Sequence, residues 1–187
     1  MKSFTLIELL VSVAIIVILS AMLLLNPRRN SEPFELANAA QKFVSDIQRI
    51  QGFALATRDF GGNPIPAGGG WGIYLREDKR CYVIFADTGI PNKVYDPAPG
   101  DLCDTSTSGG ELFERVFLPT SVSFKVGSFA PTGLATIIFL PPRPNVAFAD
   151  SAGTTLLGQS ASVTLELKSI GNQKTITVNT VGNVSVN

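Results

Sequence analysis

Apolar residues dominate the chain from Phe4 to Leu25, with one charge, Glu8, near the start of the run and none from Leu9 onward. A helix of about 22 residues rises about 33 Å, enough to cross the hydrocarbon core of a bilayer. A carboxylate in such a span costs on the order of 2–3 kcal/mol, less toward the helix end, and such a residue usually has a partner. Asn26-Pro27-Arg28-Arg29-Asn30 then breaks or bends the helix, because Pro27 lacks a backbone donor and clashes with the preceding turn. Ser31 can cap a second helix, with Glu32 and Pro33 tolerated in its first turn. Leu36, Ala40, Phe43, Ile47, Ile50 and Ala54 recur at helical spacing and draw one apolar stripe as far as about Arg58. Asp46, Gln48, Arg49 and Gln51 fall off that stripe, which is expected to pack on a sheet.

After the glycine-rich loop from Gly61 to Gly70, read as a flexible connection, the period changes to two. Trp71, Ile73 and Leu75 alternate with Gly72, Tyr74 and Arg76, a charged turn follows at residues 77–80, and Cys81 to Ala86 completes a hairpin. Asp87 to Gly110 is rich in Pro, Ser, Thr and Gly and reads as a surface excursion. Further strands are expected at 112–118, 122–126, 135–140, 163–168, 175–179 and 183–186, the last three as an antiparallel meander. The fold class is therefore α+β. A long membrane-spanning helix over residues 4–25 leads through a break at 26–33 into an amphipathic helix over 34–60. That helix packs on an antiparallel β-sheet in a β-rich globular head over 61–187.

At 187 residues the chain leaves roughly 150 after the anchor, one domain with a real core. Its 15 basic and 15 acidic residues cancel, which gives no reason to expect a nucleic-acid or acidic partner. There is no histidine, so the commonest general base and the commonest metal ligand are both missing. Glu77 with Asp78, Asp101 with Asp104, and Glu111 with Glu114 sit in turns or at strand starts and read as solvated charges. Asp101, Asp104 and Thr105 lack the alternating oxygen spacing of a calcium loop. No nucleophile elbow occurs, and the cysteines have no histidine beside them. No catalytic residue, metal or cofactor is expected, and the chain is not read as an enzyme. Cys81 and Cys103 are either two buried thiols or a bridge, and the turn-rich segment between them favours the bridge. Such a bridge would stabilise by about 3 kcal/mol on a loop-entropy argument.

The stretch Phe4-Thr5-Leu6-Ile7-Glu8-Leu9-Leu10-Val11 resembles the type IV pilin and pseudopilin signature at every position. The resemblance implies a leader, Met1-Lys2-Ser3, removed by a prepilin peptidase, and N-methylation of the new terminus at Phe4. The family normally has Gly before the cleaved bond; here it is Ser3, which is also small. It also implies that Glu8 neutralises the Phe4 amine of a neighbouring subunit inside a filament. Opposite charges attract strongly in such a low-dielectric bundle, and each is costly unpaired. The implied partners are other pilins or pseudopilins, the peptidase and an inner-membrane assembly platform. The implied location is a single pass through the bacterial inner membrane with the head extracytoplasmic, then a surface or periplasmic filament. Charge flanking does not choose the orientation, since Lys2 precedes the span and Arg28 and Arg29 follow it. The region 37–58, the hairpin from Trp71 and the pattern from Val163 to Val186 look like the head of the H-type (GspH/FimT-like) minor pseudopilins. The leading function is a minor pilin or pseudopilin of a type IV pilus or type II secretion system. The alternative is a tip pilin that captures DNA, for which Lys125, Arg143, Lys168 and Lys174 are the scattered cations available.

Overall fold

A computed structural model describes residues 5–24, 27–77, 79–96, 103, 110–142, 145–167 and 171–187, with the backbone alone at 22–24 and 27–32. Two helices come first, α1 (Leu6–Leu24) and α2 (Pro27–Leu55). α2 starts earlier than the break expected at 26–33. Pro27 stands at its first position, where the missing N–H costs nothing, and Pro33 is carried inside the helix. There Pro33 cannot donate to the carbonyl four residues back, at a cost of about 3 kcal/mol that packing further along must offset. The other end falls short of Arg58. The Arg58 N–H bonds the Phe53 carbonyl and the Thr57 N–H bonds that of Ala54, while Thr57 takes a φ of 47°. This left-handed cap satisfies the last carbonyls and stops the helix.

The stripe on α2 lies where its spacing puts it: Leu36, Ala40, Phe43, Ile47, Ile50 and Ala54 are all buried. They meet two sheets rather than the single one expected. One has five strands in the order β3-β2-β1-β5-β6, from Leu112–Phe117 (β3), Cys81–Ala86 (β2), Trp71–Tyr74 (β1), Thr136–Leu140 (β5) and Asn145–Ala149 (β6). The other has four, β4-β7-β8-β9, from Val122–Phe124 (β4), Ser160–Leu167 (β7), Gln173–Asn179 (β8) and Val184–Val186 (β9). Every pairing is antiparallel. The hairpin β1–β2 is in the expected place, with Trp71 opposite Ala86, and β7, β8 and β9 form the expected meander. β6 was not foreseen; it returns after Pro141-Pro142 and pairs Val146 with Phe139.

The main core is shared by α2 and the inner faces of both sheets, with Trp71, Ile73, Tyr82, Ile84 and Phe139 from one and Val163, Leu165, Ile176 and Val178 from the other. β1 and β2 are buried along their whole length, not on alternate residues. Their other face carries Tyr74, Cys81, Val83 and Phe85, which with Val94, Tyr95 and Ile138 form a second apolar cluster. The segment after Asp87 is thus a cover for the back of the sheet as well as a surface excursion: Val94 and Tyr95 are buried in it. The end of the glycine-rich loop is likewise close-packed, since a Cβ at Gly69 would strike the Asp87 carbonyl and one at Gly70 the Phe139 carbonyl.

Candidate functional site

Glu8 lies in the first turn of α1, where the helix dipole favours a negative charge. The Thr5 hydroxyl approaches its Oε2 at 3.5 Å, at the outer limit of a hydrogen bond, and the Ser12 hydroxyl donates to its backbone carbonyl at 2.7 Å. The side chain is exposed, as is every other described side chain of α1 from Leu6 to Ala21. The large apolar ones are 51 to 82 % exposed, from Leu6 at 82 % to Val13 at 51 %. Ser3 and Phe4, the expected cleavage and methylation positions, lie outside the described residues. Among the described residues no helix is long and apolar enough to cross a membrane. α1 itself has 19 residues; that is about 28 Å of helix against a hydrocarbon core of about 30 Å.

α1 can bury a cylinder of Leu, Ile and Val side chains against something other than its own head. Each such side chain contributes about 1.5–3 kcal/mol when fully buried. The eleven large apolar side chains from Leu6 to Leu19 therefore represent on the order of 20 kcal/mol before the costs of association.

The head holds α2 with polar bolts that the apolar pattern did not reveal. Asp46 lies beside the stripe and is buried. It accepts the Tyr82 hydroxyl at 2.6 Å and the Lys42 ammonium at 2.7 Å, with Arg49 at 3.3 Å. Arg49 reaches on to Glu114 of β3 and its guanidinium lies over the Phe113 ring. Burial, then the Asp46 carboxylate, pushes the Tyr82 hydroxyl far above its ordinary range, so it serves as a donor throughout. Phe43 meets Tyr82 edge-on at 5.0 Å. A sequence signal did exist: Asp46 is three residues after Phe43 and four before Ile50, on the flank of the stripe.

Cys81 and Cys103 are joined in a disulfide with Cα atoms 5.7 Å apart. It pins the covering segment to β2 on the face of the second cluster. Of the acidic residues read as solvated, Glu77 accepts the N–H groups of Gly127 and Phe129. Glu111 is buried and accepts those of Thr88, Gly89 and Asp96, so these carboxylates close loops. Asp78, Asp101, Asp104 and Thr105 lie outside the described residues. Among the described residues no cluster of three His, Cys, Asp or Glu side chains could hold a metal ion. Of the four cations named for DNA, Lys125 donates to Gln173 at 3.2 Å, Lys174 is half-buried beside Leu165 of β7, and Arg143 and Lys168 lie outside the described residues.

The family described as the prokaryotic N-terminal methylation motif matches residues 1–24. No curated protein and no solved structure matches the chain. The match ends where α1 ends, so it does not reach the head or its likeness to H-type pseudopilins. The motif implies processing by a prepilin peptidase and assembly with other pilins. Residues 1–24 thus carry the prokaryotic N-terminal methylation motif, which is the type IV pilin and pseudopilin signal.

Proposed function

We propose that the chain is a minor pilin or pseudopilin of a type IV pilus or a type II secretion system, and that it works by assembly rather than by catalysis. α1 holds the subunit in the inner membrane as a single pass with the head extracytoplasmic, and later packs among the same helices of its neighbours. Glu8 neutralises the amine of a neighbouring Phe4 once Met1 to Ser3 are removed. The head follows the helix–hairpin–meander order on which the H-type likeness rests. The single observation that carries this reading is α1 itself: an apolar helix exposed on every described side chain, with one carboxylate in its first turn.

The experiment is Glu8→Ala in cells that build the filament. Its expected outcome is normal recovery in the membrane fraction and loss from sheared filaments. The intact mass of the mature wild type should lack Met1 to Ser3 and carry one added methyl group. Filaments containing the variant at the wild-type level would refute the electrostatic role of Glu8, and an unprocessed mass would refute the maturation step.

A further inference from the structure

Asp87 follows β2 and opens the loop that covers the second apolar cluster. Its side chain is fully buried. Oδ2 accepts the Lys93 N–H at 2.9 Å, while Oδ1 is buried with no hydrogen-bond partner. An ionised oxygen in that position loses water and gains no donor. The surroundings add charge of the same sign. Glu111, at the start of β3, and Asp96, on the loop, both act on Asp87. Glu111 is already committed to the backbone N–H groups of Thr88, Gly89 and Asp96, so the same loop is tied to two carboxylates from opposite sides.

Little answers that charge. The Lys93 ammonium points to the 150–155 turn and donates to the Thr155 hydroxyl at 3.0 Å. Asp150 in that turn accepts the N–H groups of Ala152 and Thr154, which hold its carboxyl below the usual range. Gly69 to Trp71, packed on the other side of Asp87, bring no charge. Among the described residues Asp87 therefore faces two carboxylates and backbone donors. Burial raises its carboxyl to about 6, with Glu111 and Asp96 adding to the effect and the Lys93 and Asn92 N–H groups opposing it. A cavity of about 600 Å³ lined by Thr88, Gly89, Ile90, Asn92, Asp96 and Glu111 lies under this loop beside the Glu111 carboxylate. Ile90 at the loop tip is exposed.

We propose that the loop over residues 88–96 is a proton-operated latch. With Asp87 protonated, its carboxyl can donate where an ionised one can only accept, and the loop stays shut with Val94 and Tyr95 packed on Tyr74 and Phe85. With Asp87 ionised, two buried carboxylates, Asp87 and Glu111, share one corner with the exposed Asp96 at its rim, and the loop opens. The sign follows from linkage: the closed loop binds the proton more tightly than the open one, so closure gains as pH falls through about 6. The gain saturates near the ordinary carboxylate range, about pH 4. The latch is separate from α1, so filament assembly and latch operation can fail independently.

The test is amide hydrogen exchange on the full chain in detergent, corrected for the intrinsic pH dependence of exchange. The reporters are the N–H groups of Thr88, Gly89, Lys93 and Asp96, which are bonded to the two carboxylates. Their protection should be on the order of tenfold greater at about pH 5 than at about pH 7.5, with α2 unchanged. Asp87→Asn should abolish that ratio, and Asp96→Asn should move its midpoint to lower pH. A wild-type loop with no pH ratio, or the same ratio in Asp87→Asn, would overturn the latch. So would calcium restoring acid-level protection at neutral pH, because a bound cation would then be the compensating charge.

Discussion

α1 and α2 are both rich in Leu, Ile, Val and Ala, yet they meet opposite fates. On α2 the apolar residues are confined to a stripe, and every one of the six on that stripe is buried in the head. On α1 they surround the helix, interrupted among the described side chains only by Glu8, Ser12 and Ser20, and all are bare. A helix with one greasy face is completed by its own domain, whereas one that is greasy all round calls for lipid or for other helices. The difference separates two jobs. α2 belongs to the folding of the head, and α1 is left uncovered by it.

Substitution on both helices tests that division most strongly. Phe43→Ala removes a ring packed against Tyr82 and Phe124 and should cost the head about 3–5 kcal/mol. Trp71 is the single tryptophan and sits in the core, so its fluorescence reports the denaturation midpoint. Ile16→Ala on α1 should leave that midpoint in place and weaken filament assembly instead; equal shifts from both variants would dissolve the contrast. Next in size is the disulfide. Reduction of Cys81–Cys103 should lower head stability by about 3 kcal/mol, read as the urea midpoint with and without reductant. Recovery in the membrane fraction should not change. The smallest effect is expected at Gly182, whose φ is +89° and where a Cβ would strike the Gln51 amide of α2. Gly182→Ala should cost about 1–3 kcal/mol. Gln51→Ala in the same chain should return the part due to the collision and leave the part due to backbone strain.

Much of this was legible from spacing. The α2 stripe, the β1–β2 hairpin and the closing meander were each readable because a single face met a single environment. The second apolar cluster was hidden for the opposite reason: β1 and β2 are covered on both faces, so the alternation read at Trp71–Arg76 marked one buried side and the continuous apolar run of β2 marked neither. β6 followed two prolines and was absorbed into the turn they end. Asp46 and Tyr82 are 36 residues apart, so the flank position of Asp46 was visible but its partner was not. In the proposed assembly site, Glu8 stood out as the lone charge in an apolar run. Asp87 did not stand out, because its burial is created by Val94, Tyr95 and the end of the glycine-rich loop folding around it.

The seating of α2 on β7, β8 and β9 has a consequence for how the protein is made. The helix leaves the ribosome early, and β7, β8 and β9, which complete its seat, are synthesised more than a hundred residues later. Until those strands are made, part of the α2 stripe lacks its cover, while α1 is apolar and bare from the start. A factor that shields apolar surface would find its client in the interval before the last hairpin arrives.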